Sequence, residues 1–109
     1  METITNLELP FQHVKSGKVR EIYDLGEHYL FVATDRISAF DVVLPNGIPQ
    51  KGRILNQLSL FWFNLFENNI KNHLEKNYFP DQLRPFPELE GRSVIVKKAQ
   101  TFPVECVVR

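Results

Sequence analysis

The chain has 109 residues, with 13 Lys+Arg against 13 Asp+Glu, 43% hydrophobic residues and 12% aromatics. That composition is too apolar for a disordered segment, and the zero formal charge leaves no global positive field for nucleic acid or an anionic membrane. No run approaches the ~20 apolar residues of a membrane span. Met1-Glu2-Thr3 lacks the basic and apolar regions of a signal peptide, and the single Cys106 cannot close an internal disulfide, so a cytoplasmic setting is expected.

Residues 1–10 are polar and aperiodic apart from Leu7 and Leu9, and read as a lead-in. Val14 to Tyr23 reads as strand, tight turn at Ser16-Gly17, then strand, followed by a second turn at Asp24-Leu25-Gly26-Glu27. His28 to Thr34 is a nearly continuous apolar run, expected to be a central strand buried on both faces. Ala39 to Leu44 reads as a further strand, closed by Pro45-Asn46-Gly47-Ile48-Pro49.

Lys51 to Glu67 is the clearest helix. Ile54, Leu58, Phe61 and Leu65 form one stripe at 100° per residue, flanked by Leu55, Trp62 and Phe66, with Leu60 and Phe63 opposite. A helix so apolar all round calls for cover on two sides, and Phe61-Trp62-Phe63 reads as core. Tyr78 to Gly91, with Pro80, Pro85 and Pro87, reads as irregular. Ser93 to Lys98 and Val104 to Arg109 read as strands joined by a turn. The sum is an α+β layout with a mostly antiparallel sheet and one long helix, because the connections are too short for helical crossovers.

Three groups of residues could carry chemistry. In Ser16-Gly17-Lys18-Val19-Arg20-Glu21-Ile22, alternation puts Lys18, Arg20 and Ile22 on one strand face, with Gly17 allowing close backbone approach. Two cations and an aliphatic group suit a nucleotide, yet a solvated hairpin explains the same pattern. Asp35-Arg36-Ile37-Ser38-Ala39-Phe40-Asp41 offers carboxylates for a metal and an Arg and Ser for an anion, or simply a loop with a local Arg–Asp pair. Lys97 to Phe102 offers extended backbone to a base edge, or a plain turn. Glu105 and Arg109 read as a charged pair on one strand face. His13, His28 and His73 lack zinc-site spacing and read as surface residues, and Cys106 reads as a small buried hydrophobe.

Taken in order, these stretches resemble the SAICAR synthetase family of ATP-dependent ligases. The resemblance rests on Gly17-Lys18-Val19-Arg20-Glu21-Ile22-Tyr23-Asp24, Ala33-Thr34-Asp35-Arg36-Ile37-Ser38-Ala39-Phe40-Asp41-Val42, Lys51-Gly52-Arg53 leading into Gln57 to Phe63, and Phe102 to Arg109. It covers the chain from about residue 12. The resemblance implies an amino-terminal antiparallel lobe related to the small lobe of protein kinases, with residues 1–109 as a truncated nucleotide-binding lobe that is not catalytically competent alone. It implies ATP and Mg²⁺ as cofactors, and ATP, L-aspartate and carboxyaminoimidazole ribonucleotide as partners, with a homo-oligomer left open.

By the same resemblance, Gly17, Lys18, Val19, Arg20, Ile22, Lys97 and Thr101 bind ATP, with Lys18 and Arg20 on the phosphates and Ile22 on the adenine. Arg36, Ser38, Asp41 and Arg109 bind the imidazole substrate, Asp41 also holds the metal, and Asp41 and Lys18 are catalytic. Two other classes remain compatible with the residues: a kinase-like phosphotransferase lobe, and a non-catalytic interaction module.

Overall fold

A computed structural model describes residues 2–75 and 80–109. Six strands and one helix are present among them: β1 (Gln12–Ser16), β2 (Arg20–Asp24), β3 (His28–Ala33), β4 (Ser38–Ala39), β5 (Val42–Val43), α1 (Lys51–Leu65) and β6 (Ser93–Lys97). β1, β2, β3 and β6 form one antiparallel sheet in that order. A register shift between His13 and Lys15 bulges the edge strand β1.

Alternation along β2 and β3 sends Tyr23, Leu30 and Val32 to one face. There they meet Ile95 of β6 and two leucines from the proline-rich stretch, Leu83 and Leu89. The prolines that bar a helix in this stretch permit two 3₁₀ turns, Asp81–Leu83 and Pro87–Leu89, which deliver those leucines to the core. Of the irregular segment expected from Tyr78, residues 78–79 lie outside the described residues. Leu7 and Leu9 also pack on the core, so the lead-in covers the sheet.

The opposite face departs from expectation. β3 is buried completely on only one face; Tyr29, Phe31 and Ala33 on the other are half-buried, because α1 crosses that face over part of its width. The helix turns Gly52 and Asn56 fully inward and half-buries Leu60 and Phe63, while the stripe Ile54, Leu58, Phe61, Leu65 and its flanks Leu55, Trp62 and Phe66 are exposed. Phe61 and Trp62 are therefore surface residues, stacked edge-to-face on one another, and Phe63 alone of the three aromatics touches the sheet side.

Two anchors explain this orientation. Asn56 Nδ2 donates to Gly91 O at 2.9 Å. Gly52 lies so close to the Ala33 carbonyl and the Arg92 guanidinium that any Cβ would collide. Close approach and hydrogen bonding, not the widest apolar stripe, select the buried face.

Four other expectations are corrected. Ala39 to Leu44 is a tight hairpin, not one strand: Phe40 and Asp41 both have positive φ (52° and 64°) and reverse the chain between β4 and β5. Residues 104–109 form no strand; they are exposed and join neither sheet among the described residues. Cys106 is accordingly exposed, and the strand-face pairing of Glu105 with Arg109 loses its basis. No helix among the described residues is long and apolar enough to cross a membrane.

Candidate functional site

The loop Gly17–Val19 joins β1 to β2 and closes with Gly17 N donating to Arg20 O at 2.7 Å. Lys18 thus sits in the loop, not on the strand. Arg20 and Ile22 do share a face of β2, the one opposite buried Glu21 and Tyr23. Ile22 pairs in register with Phe31, and the Arg20 guanidinium lies 5.5 Å from the Phe31 ring centroid, within the range where a cation is attracted by the ring face.

Beside this pair, between the sheet and α1, opens a small cleft of about 160 Å³. Its walls include Val19, Arg20, Phe31, Lys51, Phe63 and His73. His73 stands edge-on to both Phe31 and Phe63, with ring centroids 5.7 and 6.0 Å away. Burial, with a smaller contribution from Arg20, holds its pKa below the ordinary histidine value, so the ring is neutral at pH 7. His73 is thus a half-buried wall residue, not a surface one. An apolar slot with cations at its rim can take a flat aromatic group and place an attached anion against Arg20 and Lys51.

The segment 34–41 supplies the rest. Its first carboxylate, Asp35, is fully buried and never reaches the cleft. Asp35 accepts a bidentate pair from Arg92, Nη1 to Oδ1 at 2.7 Å and Nη2 to Oδ2 at 3.3 Å. It also accepts the backbone N–H of Ile4 and of Gly52, both at 2.9 Å. The Gly52 bond caps the start of α1 from 17 residues upstream, a role that Gln50 at the cap position leaves open. Burial alone would raise the Asp35 pKa, but the Arg92 and backbone donors outweigh it and hold the carboxyl below its ordinary value.

Arg36 turns the other way. Its guanidinium meets Glu21 Oε2 at 2.5 Å and donates to the carbonyls of Thr5, Gly17, Lys18 and Arg20. Glu21 is further held by Ser16 Oγ at 2.5 Å and His13 Nε2 at 2.7 Å, and these donors overcome burial to lower its pKa. The local Arg–Asp pair that the sequence allowed is replaced by two longer-range pairs, Arg92–Asp35 and Arg36–Glu21.

Asp41, at the tip of the β4–β5 hairpin, is exposed and meets Lys18 Nζ at 2.5 Å. Its carboxyl pKa is lowered by the hydrogen bond from Lys18 and by its charge. Ser38 is half-buried at the base of the same hairpin.

The structure therefore gathers Gly17, Lys18, Val19, Arg20, Arg36 and Asp41 around one loop, but only Val19 and Arg20 line the cleft. Lys97 ends β6 and gives its backbone N–H to His73 O at 2.7 Å. Thr101 and Arg109 lie in the exposed, irregular stretch after β6, and neither lines the cleft. Lys51, Phe31 and His73 were not named as site residues from sequence. The one signal was Lys51 itself, a cation in the first turn of a helix with no acidic residue there, against the usual preference.

The family model described as SAICAR synthetase matches residues 13–109. The chain belongs to this family. It is 55% identical over 100 residues to phosphoribosylaminoimidazole-succinocarboxamide synthase of Thermodesulfovibrio yellowstonii, covering 88% of this chain and 34% of the relative. It is 49% identical over 112 residues to the synthase of the same name from Desulfatibacillum aliphaticivorans, covering 98% and 38%. Among solved structures it is similar to the SAICAR synthase from Saccharomyces cerevisiae complexed with SAICAR, with a TM-score of 0.79, 43% identity and coverage of 88% of this chain and 37% of that one. The chain thus spans about a third of the length of the SAICAR synthetase family members it matches.

Proposed function

We propose that residues 1–109 are the amino-terminal nucleotide-binding lobe of an ATP-dependent carbon–nitrogen ligase. The whole enzyme joins L-aspartate to carboxyaminoimidazole ribonucleotide, giving SAICAR, ADP and phosphate in de novo purine biosynthesis. The observation that carries this reading is a cationic loop, Gly17–Arg20, at the rim of an apolar cleft in a chain of this family.

In this reading Lys18 and Arg20 meet the phosphates. Val19 and Phe31 offer apolar surface, and Ile22 packs against the adenine. The backbone of Lys97 to Thr101 runs along its edge, and Ser38, Asp41 and Arg109 face the imidazole nucleotide. Bound ATP supplies a transferable phosphoryl group. The substrate carboxylate attacks the γ-phosphorus and ADP leaves; the aspartate amine then attacks the acyl phosphate, expels phosphate and loses a proton. Lys18 and Arg20 are placed to offset charge that spreads over the phosphoryl oxygens.

The residues fit a nucleotide better than they fit its metal. Among the described residues no group of three or more His, Cys, Asp or Glu could hold a metal ion. Asp41 offers one carboxylate at this loop, already engaged by Lys18, and no step is assigned to the metal. The lobe alone gives no turnover in this reading.

The test uses a full-length family enzyme whose corresponding third is this sequence. SAICAR formation should require ATP, Mg²⁺, aspartate and the carboxylated imidazole nucleotide together, and Lys18→Ala should raise the KM for ATP. Phosphoryl transfer to a hydroxyl acceptor without aspartate would point instead to a kinase-like activity, and unchanged ATP affinity in Lys18→Ala and Arg20→Ala would remove the loop assignment.

A further inference from the structure

Three carbonyls of the loop region, those of Gly17, Lys18 and Arg20, converge on Arg36. Gly17 O accepts from Arg36 Nη2 at 3.3 Å, Lys18 O from Arg36 Nε at 3.1 Å, and Arg20 O from Arg36 Nη2 at 3.4 Å. Val19 O accepts from Thr34, from Oγ1 at 2.7 Å and from the backbone N–H at 2.9 Å. The guanidinium is fixed from behind by Glu21 Oε2 at 2.5 Å and Thr5 O at 3.1 Å, so all three of its nitrogens are engaged.

A trans peptide is planar, with its C=O and N–H pointing in opposite directions, and no cis bond occurs among the described residues. The Gly17 carbonyl belongs to the same peptide plane as the Lys18 N–H, and the Lys18 carbonyl to that of the Val19 N–H. Drawing both oxygens onto Arg36 therefore aims both N–H groups away from it. Among the described residues neither N–H has an acceptor. Successive outward N–H groups are anion-binding donors, whereas the same carbonyls turned outward would repel a phosphate.

We infer that Arg36 is a positioning residue: it acts through the loop backbone, making Lys18 and Val19 N–H phosphate donors, and does not touch substrate. This rests on the nucleotide reading of the loop. It also replaces substrate binding as the role of Arg36, because every nitrogen of its guanidinium already bonds to the protein.

The experiment measures ATP and adenosine affinity by calorimetry, and KM for all three substrates, in the full-length enzyme with Arg36→Gln, Arg36→Lys and Lys18→Ala. Arg36→Gln should weaken ATP about tenfold or more while leaving adenosine within about twofold, because only the phosphates use the loop donors. Arg36→Lys should fall between, since an ammonium cannot reproduce the planar fork. Equal losses for ATP and adenosine would mean a merely structural role and overturn the inference, as would a raised KM for the imidazole nucleotide with ATP affinity intact. Where Arg36→Gln does not fold, Arg36→Lys decides: selective loss of ATP supports the inference, and unchanged ATP affinity overturns it. Failure of the nucleotide reading itself shows separately, as absent ATP binding in the unsubstituted enzyme with Lys18→Ala no different, and it takes the inference down with it.

Discussion

Asp35 and Asp41 lie six positions apart on one segment, and each holds a cation, yet the two pairs do different work. The Asp35–Arg92 side chains are 0% and 1% exposed, and Asp41–Lys18 are 90% and 51% exposed. The buried pair joins the amino-terminal segment, the end of β3, the start of α1 and the start of β6 through four hydrogen bonds to one carboxylate. The exposed pair joins two loop tips and is screened by solvent. Burial, not residue type, separates a carboxylate that holds the fold from one that solvent leaves free to exchange partners.

The largest effect expected from this contrast is at the buried end. Asp35→Ala should cost about 3–5 kcal/mol in urea denaturation, because it strands the Arg92 charge in the interior; a cost below about 1 kcal/mol would erase the contrast. Gly52→Ala comes next. In an open helix this change stabilises by up to about 1 kcal/mol, but here the new methyl meets the Ala33 carbonyl, so a loss of about 1–3 kcal/mol is expected by the same measurement.

Acid should act through the buried carboxylates. Asp35 and Glu21 have folded pKa values below their ordinary ones, so their stabilisation is complete above about pH 4–5 and is lost as pH falls through the folded values. Asp35→Asn should flatten that part of a stability–pH curve, and an unchanged slope would assign the acid sensitivity elsewhere. At the exposed end, Lys18→Ala should leave the Tm unchanged and weaken ATP about tenfold. Asp41→Asn should have the smallest effect, with no change in Tm at physiological salt; a clear drop would mean that the hairpin tip is structural after all.

Much of the fold was legible because it follows local rules. The strand–turn–strand pattern of β1 and β2, the apolar run of α1 and the proline breaks each reflect a few neighbouring residues. The tight reversal at Phe40-Asp41 was missed because Phe40, unlike Asp41, is an unusual choice for positive φ. The outward turn of the Ile54–Leu65 stripe was missed because periodicity gives the angle between faces but not which one is chosen. At the site, the alternation that put Lys18 and Arg20 on one strand face failed for Lys18, which lies in the loop before β2. The partners of Asp35 and Arg36 were not readable, since they come from residues 57 and 15 positions away.

The sequence by itself determined the antiparallel order of the first strands and the extent of the helix to within two residues. Zero net charge argues against a global anion-binding surface. Tertiary structure alone decided which arginine does what. Arg20, Arg36 and Arg92 carry the same group, and only the surroundings differ: a ring face at an open cleft, a row of loop carbonyls, and a buried carboxylate. A guanidinium's role is set by which acceptors lie within about 3 Å of it, and in a folded chain those acceptors come from residues far away in sequence.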